Sequence, residues 1–327
     1  MKIIFMGTPE FAASFLEKIY QSHHTVSLVV TQPDRPKGRG QKLAAPAVKE
    51  KAIALGLKVE QPVSLKAAEF HEVIRAEAAD LLVVVAYRIL PDTLFPLTRL
   101  GAVNVHGSLL PKYRGAAPIQ WAVAKGESET GVTLFQLDPL IDHGKILAQA
   151  KTKIGMDETA GDIFEKLRVL GQDLLLKVLD DLETGNTTGM EQNHDGATPA
   201  PKLKKEDGKL DFNLSAHTLH NHIRAFNPYP ICYALQKGTG KVLRIHKSQV
   251  MKVNSLEDNA LPSKSTALPY MPTLAPGEVQ FSPDRYPLVG TGSGVLKLLE
   301  VQWEGKPKLS GPDFMNGLQD RENLFLE

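Results

Sequence analysis

Short, almost uninterrupted apolar runs alternate with amphipathic stretches through the first half of the 327-residue chain, and this alternation restricts the fold more than any single motif. Residues 3–6, 25–31, 80–86 and 101–105 are too short for buried helices and too uniformly apolar for strands with one wet face. They predict parallel strands covered on both sides. The intervening segments carry helix signals. Thr8, Pro9 and Glu10 read as an N-cap, a preset first position and a first-turn charge, opening a helix that runs to about Tyr20. Helices are also expected over 46–55, stopped by Gly56, over 64–78, opened by Ser64, and over 118–125, ended by Gly126. Residues 159–182 place Ile163, Leu167, Leu170, Leu174 and Val178 three or four apart, which predicts a long helix lying on a sheet.

Strand and helix in strict alternation give an α/β fold, a Rossmann-like doubly wound and mainly parallel sheet, whose ligands lie beyond the carboxyl ends of its strands. A dinucleotide site is a poor match, because Gly7 stands alone where the fingerprint needs three glycines. The second half has another character. Residues 185–208 are polar and lack apolar periodicity, which reads as a linker. A helix over 215–224 is followed by short alternating runs at 231–236, 242–253, 277–281, 287–289 and 295–303, with a hairpin turn at 237–241 and a last helix at 310–318. These predict a small OB-like β-barrel domain. The expected organisation is therefore 1–184, a linker over 185–208, and 209–327, with 254–276 an exposed insertion rich in Ser, Pro, Lys and Thr.

The net charge of +1 favours no partner, so only local clustering is informative. Arg35, Lys37, Arg39 and Lys42 face only Asp34 within 32–45, where Pro33, Pro36, Gly38 and Gly40 argue against helix or sheet. Between 202 and 247, nine Lys and Arg residues stand against three acidic ones. Either cluster suits a polyanion or a solvated surface. The single Cys232 excludes an internal disulfide framework and a multi-thiolate zinc site, and no apolar run approaches the roughly 20 residues that span a bilayer. A cytoplasmic protein without a bound metal is expected.

Chemistry concentrates after the strand at 101–105. Asn104 and His106 alternate with Val105 and so share one side of the strand, roughly 7 Å apart. An amide donor beside an imidazole suits a carbonyl becoming a tetrahedral oxyanion, and an ionised Asp would fix the imidazole tautomer. Asp138 and Asp142, after another apolar run, are the candidates. From residue types alone, a lone Asn-x-His at a strand end is more often structural than catalytic.

The pattern Asn104-Val105-His106-Gly107-Ser108-Leu109-Leu110-Pro111, then Arg114-Gly115-Ala116-Ala117-Pro118-Ile119 and a later Asp, resembles the folate-dependent formyltransferases. Further matching segments run from Met6-Gly7-Thr8-Pro9-Glu10 to Arg224-Ala225-Phe226-Asn227-Pro228, in the family's order and over both halves. The resemblance implies catalysis by Asn104, His106 and Asp142, a folate pocket at Ser108, Leu109, Leu110 and Pro111, and tRNA contact by Arg35, Lys37, Arg39 and Lys42. It implies 10-formyltetrahydrofolate as co-substrate, no metal, and a monomer that formylates the α-amine of methionyl-initiator tRNA. The sequence departs from the family in two loops. Tyr87-Arg88 lacks a glycine of the pterin loop and is one residue short, and Leu140 and His143 replace Gly and Thr near Asp142. Two rivals stay open: formylation of a sugar-nucleotide amine, and an RNA-binding protein with an inactive transferase domain.

Overall fold

The computed structural model describes residues 1–37, 42–251, 274–318 and 324–327. The chain opens with β1 (Lys2–Gly7), α1 (Glu10–Tyr20) and β2 (Thr25–Val30). A two-stranded ribbon, β3 (Arg35–Lys37) and β4 (Lys42–Ala44), precedes α2 (Ala47–Ala54), β5 (Val59–Glu60), α3 (Ala68–Ala76) and β6 (Leu81–Val85). Then come β7 (Ala102–His106), β8 (Arg114–Gly115), α4 (Pro118–Ala124), β9 (Glu129–Gln136), β10 (Ile146–Lys153), α5 (Ala160–Glu183) and β11 (Pro199–Ala200). The main sheet has the order β10-β9-β7-β6-β1-β2-β5, parallel from β7 to β5, with β9 and β10 antiparallel. The chain leaves β1 towards β2 and β5, then returns to its other side at β6, so a switch point lies between β1 and β6.

Alternation sorts each strand's side chains between two helical layers. Ile4, Met6, Leu28, Val30, Leu82 and Val84 pack with Phe70 and Ile74 of α3 and with Leu94. On α1, Phe11 meets Phe164 of α5 at 4.6 Å between ring centroids, and Gln172 of α5 donates to the Ser14 carbonyl at 2.9 Å. Of the predicted stripe on α5, Ile163, Leu167 and Val178 are buried, and Leu170 and Leu174 are half-buried. No helix among the described residues is long and apolar enough to cross a membrane.

Several local expectations need correction. Pro9, not Thr8, is the N-cap of α1, and the Thr8 hydroxyl is buried without a hydrogen bond. The third helix starts at Ala68, after Ala67 rather than at Ser64. The basic loop over 32–45 holds a short antiparallel pair in which Pro36 opposes Leu43; a free-standing ribbon tolerates proline because its outer edge needs no donor. The strand β10 went unpredicted, since its Ala, Gln, Lys and Thr present only a weak apolar alternation. Residues 185–201 are no inert linker either: β11 pairs in parallel with β8.

By contact density the chain forms two units, one comprising Met1–Pro118, Glu129–Lys153 and Phe164–Pro201, the other Ile119–Ser128, Ile154–Ile163 and Lys202–Glu327. The second contains α6 (Ala216–Ala225), β12 (Cys232–Leu235), β13 (Val242–Val250), β14 (Val279–Phe281), β15 (Pro287–Gly290), β16 (Val295–Trp303), β17 (Leu309–Ser310) and α7 (Gly311–Asn316). Ser215 caps α6 by accepting from Thr218 N–H, and Ser310 caps α7 by accepting from Asp313 N–H. The strand path is β12-β13-β16-β15-β14, with β17 on β16. Residues 324–327 then pair with both ends of that path. Leu235 and Glu327 exchange two backbone bonds of 2.8 Å, while Val279 N–H donates to Leu324 O and Leu326 N–H to Gly277 O. The sheet is thereby closed into the expected barrel. Of the 254–276 insertion, residues 254–273 lie outside the described residues.

Cys232 faces the barrel interior fully buried, and burial pushes its thiol well above the ordinary range. We expect iodoacetamide at mildly alkaline pH to leave it unmodified in the folded protein and to label it fully after denaturation, as read by intact mass. Labelling at a free-cysteine rate without denaturant would contradict this burial.

Candidate active site

The carboxyl end of β7 lies beside those of β6 and β1, near the switch point. Register places Asn104 opposite Val84 on one side and Phe135 on the other, and His106 opposite Thr133. Asn104 is half-buried, and its amide makes no hydrogen bond with the described residues. His106 is buried. Its Nε2 lies 2.8 Å from the Tyr113 carbonyl oxygen. A carbonyl only accepts, so Nε2 carries the proton and the neutral ring keeps its lone pair on Nδ1. That Nδ1 faces Asp142 Oδ2 at 3.7 Å, too far for a direct hydrogen bond, and the two form an ion pair only when the ring is protonated.

Of the two candidate carboxylates, the structure brings only Asp142 to His106. Asp138 instead accepts from Leu140 N–H and sits 2.8 Å from His143 Nδ1. Asp142 has φ +52°, a left-handed conformation that Asp tolerates better than most residues. Its Oδ2 accepts from Gly115 N–H at 2.8 Å. Gly144 follows where nothing larger fits, since a Cβ there would stand 1.8 Å from the Gln136 carbonyl oxygen.

The support for this loop comes from a segment with no hydropathy signal. Gln192, 5% exposed, donates to the carbonyls of Asp142 at 3.0 Å and Gly144 at 2.8 Å. Its own oxygen accepts from Arg114 at 2.6 Å, and Arg114 also donates to His194 Nδ1. Thr198 holds Tyr113 and Arg114 through their backbone N–H groups. His194 stacks on His143, ring centroids 3.9 Å apart and 9° from parallel. Sequence reading missed Gln192, His194 and Thr198. Arg114 therefore fixes the loop rather than standing free.

The Ser108–Pro111 stretch is mostly self-engaged. The buried Ser108 hydroxyl donates to Lys112 O, and Leu110 packs with Phe135 and Ile146. Thr133 donates to Ser108 O and accepts from Leu110 N–H. Leu109 and Pro111 keep half-exposed surface. In the Tyr87-Arg88 loop, positive φ falls on Ala86 at +47°, not on Arg88. Arg88 folds back to donate to the Pro62 and Val63 carbonyls and the Tyr87 hydroxyl, so it occupies no glycine-only conformation.

Arg35 is exposed on β3, Lys37 and Lys42 are paired by backbone register, and Arg39 lies outside the described residues. In the second unit Arg224 does not belong to a basic surface; it is 6% exposed and donates to Gly155 O and Glu158 O. A cleft of about 640 Å³ opens by Arg99, Gly101 and Thr188, at the amino end of β7 and hence the opposite end from His106.

Residues 1–179 match the family described as Formyl transferase, and residues 202–319 its C-terminal domain. The chain belongs to the formyl transferase family. A curated relative from Koribacter versatilis, named Methionyl-tRNA formyltransferase, is 43% identical over 320 residues, covering 97% of this chain and 96% of that protein. One of the same name from Desulfotalea psychrophila is 43% identical, covering 97% and 93%. Among solved structures, a sugar 3N-formyl transferase crystallised with dTDP and 5-N-formyl-THF superposes with a TM-score of 0.65 at 18% identity, over 94% of this chain and 99% of that one. The Aquifex aeolicus HypX structure in complex with tetrahydrofolic acid gives 0.63 at 18% identity, over 97% of this chain and 48% of that one. At such identities the likeness is one of fold. For this formyl transferase, the fold class expected from the sequence holds in both halves.

Proposed function

We propose that the chain transfers a formyl group from 10-formyltetrahydrofolate to the α-amine of methionyl-initiator tRNA, as a cytoplasmic monomer. The observation that carries this reading is full-length similarity to relatives named Methionyl-tRNA formyltransferase, supported by the approach of Asp142 to His106. The folate co-substrate supplies an activated formyl carbon. Acyl transfer to an amine builds negative charge on the formyl oxygen, and the uncommitted Asn104 amide is placed to donate to it. His106 adds a second donor once a proton occupies Nδ1, the nitrogen that faces the Asp142 carboxylate. Asp142, directly or through water, takes the proton that the attacking nitrogen loses. Ile89 at 76% exposure, with Leu140 at 59% and Ile141 at 58%, offers apolar surface that a flat heterocycle can cover. The donors present thus fit a folate-bound formyl group.

A single-turnover assay tests the reading. Methionyl-initiator tRNA, uncharged tRNA and an amino-sugar nucleotide are each mixed with 10-formyltetrahydrofolate. Product on the charged tRNA alone is expected; product on the sugar amine would replace this acceptor, and tight tRNA binding without product would favour an inactive transferase domain.

The basic loop is assigned to the tRNA backbone. Arg39→Ala with Lys42→Ala is expected to weaken tRNA binding and to flatten its salt dependence by about one logarithmic unit per lost phosphate contact. An unchanged slope of binding against salt concentration would remove the loop from the interface.

A further inference from the structure

Four side chains of the kinds that ligate first-row divalent metals meet in the first unit, on elements separate from the trio. His23 and His24 lie between α1 and β2, and Asp180 and Glu183 lie three residues apart on one face of α5. One ligand atom from each lies within 4.8 Å of all the others. Asp180 Oδ1 is 3.1 Å from His24 Nε2 and 3.5 Å from His23 Nε2, which in turn is 3.2 Å from Glu183 Oε2. A tetrahedron of N and O ligands at zinc bond lengths has edges of about 3.3–3.4 Å. Those three edges fall within a few tenths of an ångström of that figure, while Glu183 Oε2 approaches His24 at 3.7 Å on the Nδ1 side of the ring.

We propose that His23 Nε2, His24 Nε2, Asp180 Oδ1 and Glu183 Oε2 form a binding site for zinc or a neighbouring first-row divalent ion. The arrangement has the features such a site requires. The His24 side chain is fully buried and fixed, whereas His23, Asp180 and Glu183 are 66%, 54% and 39% exposed and leave an entry path. The Met1 ammonium bonds Glu183 through Oε1 and leaves Oε2 for the ion. With neutral imidazoles, two carboxylates against one ammonium give the cluster a net negative charge that attracts a cation. Burial, with the Met1 ammonium and His23 beside it, holds the His24 pKa below the usual histidine range, which keeps the ring neutral as ligation demands.

The same geometry sets the tautomer of the buried ring. An ammonium only donates, so His24 Nδ1, 3.2 Å from Met1 N, accepts from it, and Nε2 carries the ring proton towards Asp180. The site ties the α1–β2 turn and the start of β1 to the end of α5, which is a stabilising role.

The test uses the full chain with nothing preceding Met1, stripped with chelator and titrated with Zn²⁺ by calorimetry, and with Co²⁺ by visible absorption. One ion per chain, a tetrahedral Co²⁺ spectrum and a raised thermal midpoint are expected. His23→Ala, at an exposed position, and Glu183→Gln should each weaken binding at least about tenfold, because loss of even an outer partner commonly costs that much. His217→Ala, an exposed histidine of the second unit, should change nothing. Unaltered affinity in His23→Ala, or binding of well under one ion per chain, would overturn the site.

Discussion

His106→Ala is expected to lower formyl transfer by roughly 10²–10⁴-fold while tRNA binding stays near the parent level. The size follows from what the ring supplies: a donor to the developing oxyanion, held in one tautomer by the Tyr113 carbonyl and faced by the Asp142 carboxylate. Because His106 is 5% exposed and its Nε2–H satisfies a backbone carbonyl, the substitution also costs stability of about 1–3 kcal/mol. Turnover must therefore be measured well below the variant's thermal midpoint. Asp142→Asn separates the two effects, since Asn tolerates positive φ and its amide oxygen still accepts from Gly115 N–H. That variant should remain folded and lose turnover. Undiminished transfer in both variants would remove His106 and Asp142 from the chemistry.

Gly144→Ala should have the largest effect of any single methyl addition in the site. The added carbon would lie 1.8 Å from Gln136 O, and because that oxygen belongs to the backbone of β9, no rotamer change relieves the contact. Either the loop or the strand must move. We expect a loss of about 2–3 kcal/mol in denaturant-induced unfolding. A fall in turnover of roughly 10²-fold should accompany it, as the Asp142 loop shifts by the ångström that such positioning does not tolerate. Gly196→Ala is the matched control, since its added carbon meets only Pro111 Cγ at an ordinary 3.5 Å. Equal stability of the two variants would contradict the close approach of Gly144 to β9.

The parts of the fold that the sequence discloses are those carried by apolar periodicity. Four of the parallel strands, the long α5 and five of the barrel strands are legible from their apolar pattern, whereas β5 and β17, two residues each and without a buried side chain, lack one. What is hidden is held by other means. The strand β10 sits at the sheet edge with alternate residues wet, so its burial alternates too faintly to register. The ribbon of β3 and β4 has no core of its own and exists through backbone pairing. In the site, Asn104, His106 and Asp142 could be proposed from residue type and resemblance, but Gln192, Thr198 and His194 could not. They act through polar contacts to loops some fifty to eighty-five positions earlier in the chain, and a polar residue within a polar stretch gives no sign of its distant partner. Likewise the missing glycine beside Tyr87-Arg88 does not reveal that the positive φ of this loop belongs to Ala86.

The pairing of residues 324–327 with both β12 and β14 bears on how this protein is made. The two strands that these residues join are complete long before residue 324 is synthesised, and until then each presents an unpaired row of backbone donors and acceptors. During translation the barrel is therefore a nascent sheet with two sticky margins, and the closing segment acts as a zip that removes both at once. A chain shortened before Leu324 keeps every strand of the sheet path and yet is expected to cling to its own copies, so a change confined to a few distal residues would be read out as aggregation rather than as lost catalysis.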